Sequence, residues 1–275
     1  MSRTGEKLVD IREATVHVLS DRPELVMTWA RLETEGGPPL HIHRKHADTF
    51  VVLGGELDVG LGDEEHKLGE GHVWSAPVGV VHGYRHVGTD EVRFLNLHTP
   101  GMGFAEYLFG QRAPEEVDQY EPPEDGGRPV SDAALLRIDD AETVTDKPER
   151  TIRILVDSPE LVMTWTRYVA GEEGPGPHIH REHSDAFFIL SGELVFGVGP
   201  DVERVTAGPG TFILAPPNVV HTFRNEGPDE ATWLNFHAPS GDFAGFLRDP
   251  GASWDSFDAP PDGGLAKSEA IILNI

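Results

Sequence analysis

The sequence has no cysteine. That excludes disulfides, thiolate metal ligands and a cysteine nucleophile, and it fits a reducing compartment. It also lacks any hydrophobic run that approaches a membrane span, and its opening residues, MSRTGEKLVD, hold no apolar stretch of the signal-peptide kind. A cytoplasmic protein that does not engage a membrane is therefore expected. Positive charge is scarce: 22 Lys and Arg stand against 47 Asp and Glu, a formal net charge of -25. Such a chain is repelled by nucleic acid and by anionic lipid, so neither is an expected partner. The acidic residues are spread along the chain and not gathered in one block, which makes solubility their ordinary reading. Sustained helical periodicity is missing as well; only GFAEYLFG and DFAGFLRD each suggest one short helix.

Turn residues are abundant. The 275 residues include 31 Gly and 22 Pro, and these fall between short β-rich runs such as TFVVL, FLNL, AFFIL, TFILA and TWLNF. Strands punctuated by tight turns make an all-β chain. The chain also repeats itself. DRPELVMTW (21–29) returns as DSPELVMTW (157–165), and PPLHIHRKHADTFVVLGGEL (38–57) as PGPHIHREHSDAFFILSGEL (175–194). EGHVWSAPVGVVHGYRH (70–86) answers to GPGTFILAPPNVVHTFRN (208–225), and FLNLHTP to WLNFHAP. The tails correspond too: DGGRPVSDAALLRI (125–138) matches DGGLAKSEAIILNI (262–275). The repeat predicts two domains, 1–138 and 139–275, each long enough to bury its own core. The acidic, Pro-rich stretch APEEVDQYEPPEDGG and its counterpart DSFDAPPDGG read as parts of the module, not as free linkers. AALLRI and AIILNI, apolar and equivalent, are predicted strands that pair with a sheet of their own or a neighbouring barrel or subunit, because left exposed they would invite aggregation.

The chemistry-bearing signal is His41-Ile42-His43 with its copy His178-Ile179-His180. In extended backbone, residues two apart face the same way, so each pair presents two imidazoles side by side, which suits a borderline divalent metal. One such pair is weak evidence. Here each is followed by an acid, Asp48 or Asp185, and by a third histidine, His82 or His221, behind the turns Pro77-x-Gly79 and Pro216-x-Asn218. Asn at 218 fits a left-handed backbone there.

These residues resemble the cupin superfamily. Its first motif is matched by His41-x-His43…Asp48…Gly55 and His178-x-His180…Asp185…Gly192. Its second is matched by Gly71…Pro77-x-Gly79…His82…His86 and Gly210…Pro216-x-Asn218…His221…Asn225. The resemblance implies a bicupin, two tandem jelly-roll barrels related by duplication, with one divalent metal ion per barrel, two per chain, drawn from Fe, Mn, Ni or Zn. It implies His41, His43, His82, His178, His180 and His221 as ligands. The family's acidic ligand is usually Glu, and both copies here carry Asp, one methylene shorter. Three arrangements stay open: Asp48 and Asp185 bind directly, His46 and His183 take their place, or the carboxylates orient ligands from outside.

By strand parity, Phe50 and Phe187 share a face with the acids, and Tyr84 and Phe223 follow the third histidines; each is a candidate for the wall of a substrate pocket as well as for ordinary core. His46, His183 and His86 are further pocket candidates. Asn96-x-His98 and Asn235-x-His237 form a second polar pair whose face is ambiguous, because the Leu and Phe residues beside them compete for the interior. Such a site predicts a dioxygenase-like oxidoreductase acting on a small enol-bearing or aromatic molecule, by fold-level analogy with quercetin (flavonol) dioxygenases. The alternatives are a lyase of the oxalate decarboxylase kind and a non-catalytic small-molecule-binding bicupin. A homo-oligomer stays open.

Overall fold

The structure is a computed structural model, and it describes residues 2–9, 14–87 and 90–275. The chain divides into two compact units, Met1–Asp140 and Ala141–Ile275. Each is built of strands, as the short apolar runs between Gly and Pro require.

In the first unit a seven-stranded antiparallel sheet runs in the order Lys7–Val9, Thr15–Asp21, Val26–Leu32, Val92–Thr99, Ala47–Gly54, His72–Ala76, Ala134–Arg137. Facing chemistry is supplied by a smaller group: Glu64–Gly69, Glu56–Leu61 and His82–Arg85 pair in that order, and Ile42–His43 pairs with Gln119–Tyr120. The two pieces are stitched by reciprocal backbone bonds between His41 and His82, 2.8 and 2.9 Å long. In the second unit the same parts form one continuous five-stranded sheet, Glu203–Ala207, Leu194–Val198, His221–Arg224, His178–Ile179, Phe257–Asp258, beside its own seven-stranded sheet. This is the two-sheet barrel, present twice.

The hairpin between the sheets depends on glycine. Gly55 and Gly192 stand at φ +75° and +71°, and a Cβ on them would lie 2.3 and 2.2 Å from the carbonyl oxygens of Glu91 and Glu230. No side chain fits there, which is why both copies keep Gly.

The barrel interiors are apolar. In the first unit Phe50, Trp74, Phe94, Leu57, Leu61 and Val80 belong to one buried cluster, with Phe50 stacked on Trp74 at 4.0 Å. In the second, Phe187, Phe196, Trp233, Ile213 and Leu194 do the same. Burying side chains of this size contributes about 1.5–3 kcal/mol each, so the cores hold the barrels without staples.

AALLRI and AIILNI form the strands Ala134–Arg137 and Ile271–Asn274. Each pairs within its own unit, with His72–Ala76 and with residues Thr211 to Leu214 respectively. The two short helices are Phe104–Leu108 and Phe243–Arg248. Among the described residues no helix is long and apolar enough to cross a membrane.

Candidate metal centres

Three chain segments converge at each centre. His41 and His43 lie at the start of the smaller sheet, His82 opens the strand beside them, and Asp48 stands on Ala47–Gly54 of the large sheet. The intervening turn is tied to the first histidine pair: the Gly79 amide donates to the His43 carbonyl, and the Asn218 amide to that of His180, at 2.7 Å in both cases. Gly79 has φ +82° and Asn218 has φ +67°, so Asn occupies the left-handed backbone that its substitution for Gly predicts. His41, His43, Asp48 and His82 each bring one ligand atom to within 4.8 Å of the others, and all are buried; His178, His180, Asp185 and His221 repeat the arrangement.

The tautomers follow from the backbone. The Nδ1–H of His41 donates to the Pro39 carbonyl at 2.8 Å, that of His43 to Asp118 at 2.9 Å, and that of His82 to Val80 at 2.9 Å. In the second unit His178, His180 and His221 donate to the carbonyls of Gly176, Asp255 and Val219 at 2.9, 2.5 and 3.0 Å. With Nδ1 so engaged, each ring turns its Nε2 inward. Those of His43, His82 and His180 are buried with no hydrogen-bond partner. They look at carboxylate oxygen: Asp48 Oδ2 lies 3.8 Å from His43 Nε2 and 3.4 Å from His82 Nε2, and Asp185 Oδ2 lies 3.6 and 3.2 Å from those of His180 and His221. Acceptors facing acceptors in a buried space are unstable unless something positive lies between them. Two ligands that share an ion at about 2.1 Å each sit roughly 3.0–3.4 Å apart, close to these spacings.

The electrostatics agree. Burial holds His41 down at about 4 and His178 at about 3, with the neighbouring imidazoles of His82 and His221 adding to it. Both rings are thus neutral and free to donate a lone pair at neutral pH. Burial pushes the Asp48 and Asp185 carboxyls up, but the surrounding histidines, His98 and His237 foremost, hold both well below the usual carboxylate range. Every group that lowers them is a histidine, with no Lys or Arg among the main causes. Each centre is a buried carboxylate among three imidazoles, a donor set that fits a divalent cation.

His46 and His183 lie outside this cradle's inner ring. His46 Nδ1 meets Asp118 Oδ2 at 3.2 Å, and its Nε2 meets His98 Nδ1 at 2.9 Å. His183 does the same with Asp255 at 2.8 Å and His237 at 2.9 Å. His43, His46 and His98 also lie close enough to form a donor group, as do His180, His183 and His237. These groups share His43 and His180 with the first sets, so they are alternatives to them.

The ambiguous pair is resolved by register. His98 is directly opposite Asp48 across the ladder, and His237 opposite Asp185. Asn96 and His98 therefore share the acid's face, where Asn96 Nδ2 donates to Asp48 Oδ1 and accepts at Oδ1 from His98 Nε2–H at 3.0 Å. Asn235 and His237 copy both contacts.

The pocket candidates divide. Phe50 and Phe187 are packed in the barrel cores. Tyr84 packs on Phe50 and also lines a groove of about 890 Å³ with Leu40, Gly60 and Arg85. Phe223 lines an equivalent groove of about 480 Å³ with Pro177, Gly197 and Arg224. His86 is buried and bonds through its backbone to Gly36, outside the metal-binding group. Two residues escaped the sequence reading, Asp118 and Asp255, which are distant in sequence from the histidines they hold. Their signal is positional: each stands seven residues before the DGG of its tail, at Asp125 and Asp262.

The family model for the cupin domain matches residues 28–98 and again 164–237. This chain belongs to the cupin family. With two such domains it is a bicupin. It is similar to the quercetin 2,3-dioxygenase of Bacillus subtilis, at 23% identity over 86% of this chain and 80% of that protein. Among solved structures, the Lactobacillus farciminis oxalate decarboxylase–formate complex superposes with a TM-score of 0.61 at 13% identity, covering 94% of this bicupin and 87% of that chain. The Bacillus subtilis oxalate decarboxylase with its Mn(II) centres gives a TM-score of 0.55 at 17% identity, over 82% and 72% of the two chains. At these identities the solved structures speak for the fold.

Proposed function

We propose that this bicupin is a metal-dependent oxidoreductase of the dioxygenase type, holding one divalent ion in each barrel and acting on a small enol-bearing or aromatic molecule. The ligands are His41, His43, Asp48 and His82 in the first unit and His178, His180, Asp185 and His221 in the second. One observation supports the reading above all: the buried Nε2 atoms of His43, His82 and His180 have no hydrogen-bond partner, and together with that of His221 they lie 3.2–3.8 Å from the Asp48 or Asp185 carboxylate. When bound, a divalent ion supplies Lewis acidity to a coordinating enol oxygen and, if redox-active, electrons to O2.

The protein's own part is to fix three imidazoles in one tautomer, to keep the carboxylate ionised and to exclude bulk water from around it. Four protein ligands leave a position open for substrate on an ion that takes five or six. The aromatic surroundings favour a flat, apolar substrate over a small dianion such as oxalate, and the quercetin dioxygenase likeness points the same way.

Two measurements test this. Elemental analysis should find two ions per chain in the parent and about half that content in His41→Ala. Oxygen uptake should appear with flavonols or diketones. Carbon dioxide release from oxalate without net oxygen consumption would replace the reading with a lyase, and a metal-free parent would overturn it.

A further inference from the structure

Each centre continues outward into a buried polar chain that the ligand set alone does not explain. Starting from the metal-facing acid, Asp48 accepts from Asn96, Asn96 accepts from His98, His98 meets His46, and His46 meets Asp118. The second unit builds the same links through Asp185, Asn235, His237, His183 and Asp255. Across the two copies the His–His contact is 2.9 Å and the His–Asn contact 3.0 Å in both. Aromatic rings cover the middle of each chain: Phe104 lies 3.7 Å from His98 and Phe243 lies 3.9 Å from His237.

The far end does two jobs at once. The Asp118 carboxylate takes the amides of Arg44 and Lys45 at 2.8 and 2.6 Å together with His46, while its carbonyl takes Nδ1–H of His43. Asp255 holds the amides of Arg181 and Glu182 and the rings of His183 and His180 in the same way. Asp118 does so from a left-handed backbone, φ +64°, which Asp adopts more readily than most non-Gly residues.

We propose that Asp118 and Asp255 are positioning residues of the metal centres, each setting the orientation of one histidine ligand through its carbonyl and of the acidic ligand through a four-link side-chain chain. The inference rests on the metal reading above. Its physical content is that the acidic ligand, one methylene shorter than Glu, is aimed from behind. Charge-assisted hydrogen bonds anchor the outer end of the chain, and an anchored chain leaves Asn96 one place to stand. Outer partners of metal ligands typically account for 10- to 100-fold in affinity, so the effect is measurable.

The test uses the full chain with Co(II) as a spectroscopic probe, and the untouched unit serves as an internal control. Asp118→Asn keeps the size and an acceptor but removes the charge; His98→Leu cuts the chain in its middle without touching the loop. Each should leave one site with parental affinity and weaken the other by about 10-fold or more, with a shifted Co(II) absorption band for the weakened site. The double variant should lose no more than the worse single one, because both act through one chain. Additive losses, or a lower metal-free melting temperature with parental Co(II) affinity, would reduce Asp118 to a loop anchor and overturn the proposal. Parental binding at both sites would overturn it as well. A parent that takes up no Co(II) would instead overturn the metal reading itself, so the two failures are told apart.

Discussion

Asp48→Asn is the most discriminating single change, because it is nearly isosteric and alters only charge and one acceptor. Asp48 Oδ1 accepts from Asn96 Nδ2, so the new amide must keep its oxygen on that side; otherwise two NH2 groups would face each other. Its own NH2 then occupies the place of Oδ2, 3.4 Å from His82 Nε2 and 3.8 Å from His43 Nε2. A donor there cannot bind a cation. Removing one partner of a buried charge pair costs about 3–5 kcal/mol, which corresponds to roughly 10²- to 10³-fold or more in affinity for that barrel's ion. The metal-free protein should lose some stability as well, because, burial notwithstanding, the surrounding histidines hold the Asp48 carboxyl well below the usual carboxylate range and so favour its charged form in the fold. At fixed free metal, a hundredfold weaker site gives up about 2.7 kcal/mol of metal-dependent stability. Thermal unfolding with and without metal, joined to elemental analysis, reads both quantities. His46→Gln is the control: it reaches the acid only through other side chains, so it should cost at most about 10- to 100-fold and retain the ion at saturating metal. If Asp48→Asn keeps its ion while His46→Gln loses it, the assignment is wrong and the centre is a four-histidine site.

Removing residues 270–275 takes away Ile271–Asn274, which pairs with residues Thr211 to Leu214 of the large sheet; the exposed edge should lower the melting temperature and the solubility, and a truncated protein identical to its parent would refute this. Acid should destabilise the metal-free protein in a defined window. Burial holds His41 and His183 at about 4 and His46 and His178 at about 3 against an ordinary 6.5, so as pH falls from 6.5 towards 4 the unfolded chain takes up more protons and stability drops. Asp48 and Asp185, ionised in both states through that window, add their own loss only below the ordinary carboxylate range. Melting temperatures of metal-free protein that stay flat between about pH 7 and about pH 5 would count against neutral buried imidazoles.

The duplication, the strand-and-turn character and the histidine motifs were legible because each is a local pattern. His-x-His needs only strand parity to put two rings together, and Asn218 needs only its tolerance of positive φ. Asn96 and His98 were not legible in the same way. Leu95 and Leu97, on the opposite face of that strand, are as fully buried as any residue in the chain. With both faces of the strand buried, alternation no longer says which side holds the polar pair. The answer lies in the register with Ala47–Gly54, a long-range property. Asp118 and Asp255 were hidden for a related reason. An aspartate among the acidic residues of APEEVDQYEPPEDGG looks like solvated charge until the fold brings it beside the HIHRKH loop, 75 residues away from His43.

Comparing the two units then separates what a centre needs from what it tolerates. His86 in one copy is Asn225 in the other; Asn225 spends its amide on the carbonyls of Tyr168, Val169 and Asp229, whereas both ring nitrogens of His86 are buried without a hydrogen-bond partner, and neither residue belongs to the candidate metal-binding groups. Val117, buried beside Asp118, is replaced by Trp254 beside Asp255. The indole ring lies 5.1 Å from His180 and within 5.0 Å of Phe243 and Phe246. The four candidate ligands, their backbone acceptors and the Asn–His–His–Asp chain survive these changes intact. Divergence has therefore been accommodated in the wall of the site while the cradle was kept, so the two centres share a donor set but present different surroundings. Any difference in metal affinity or substrate preference between the barrels has its physical source in that wall, with Trp254 its largest single element.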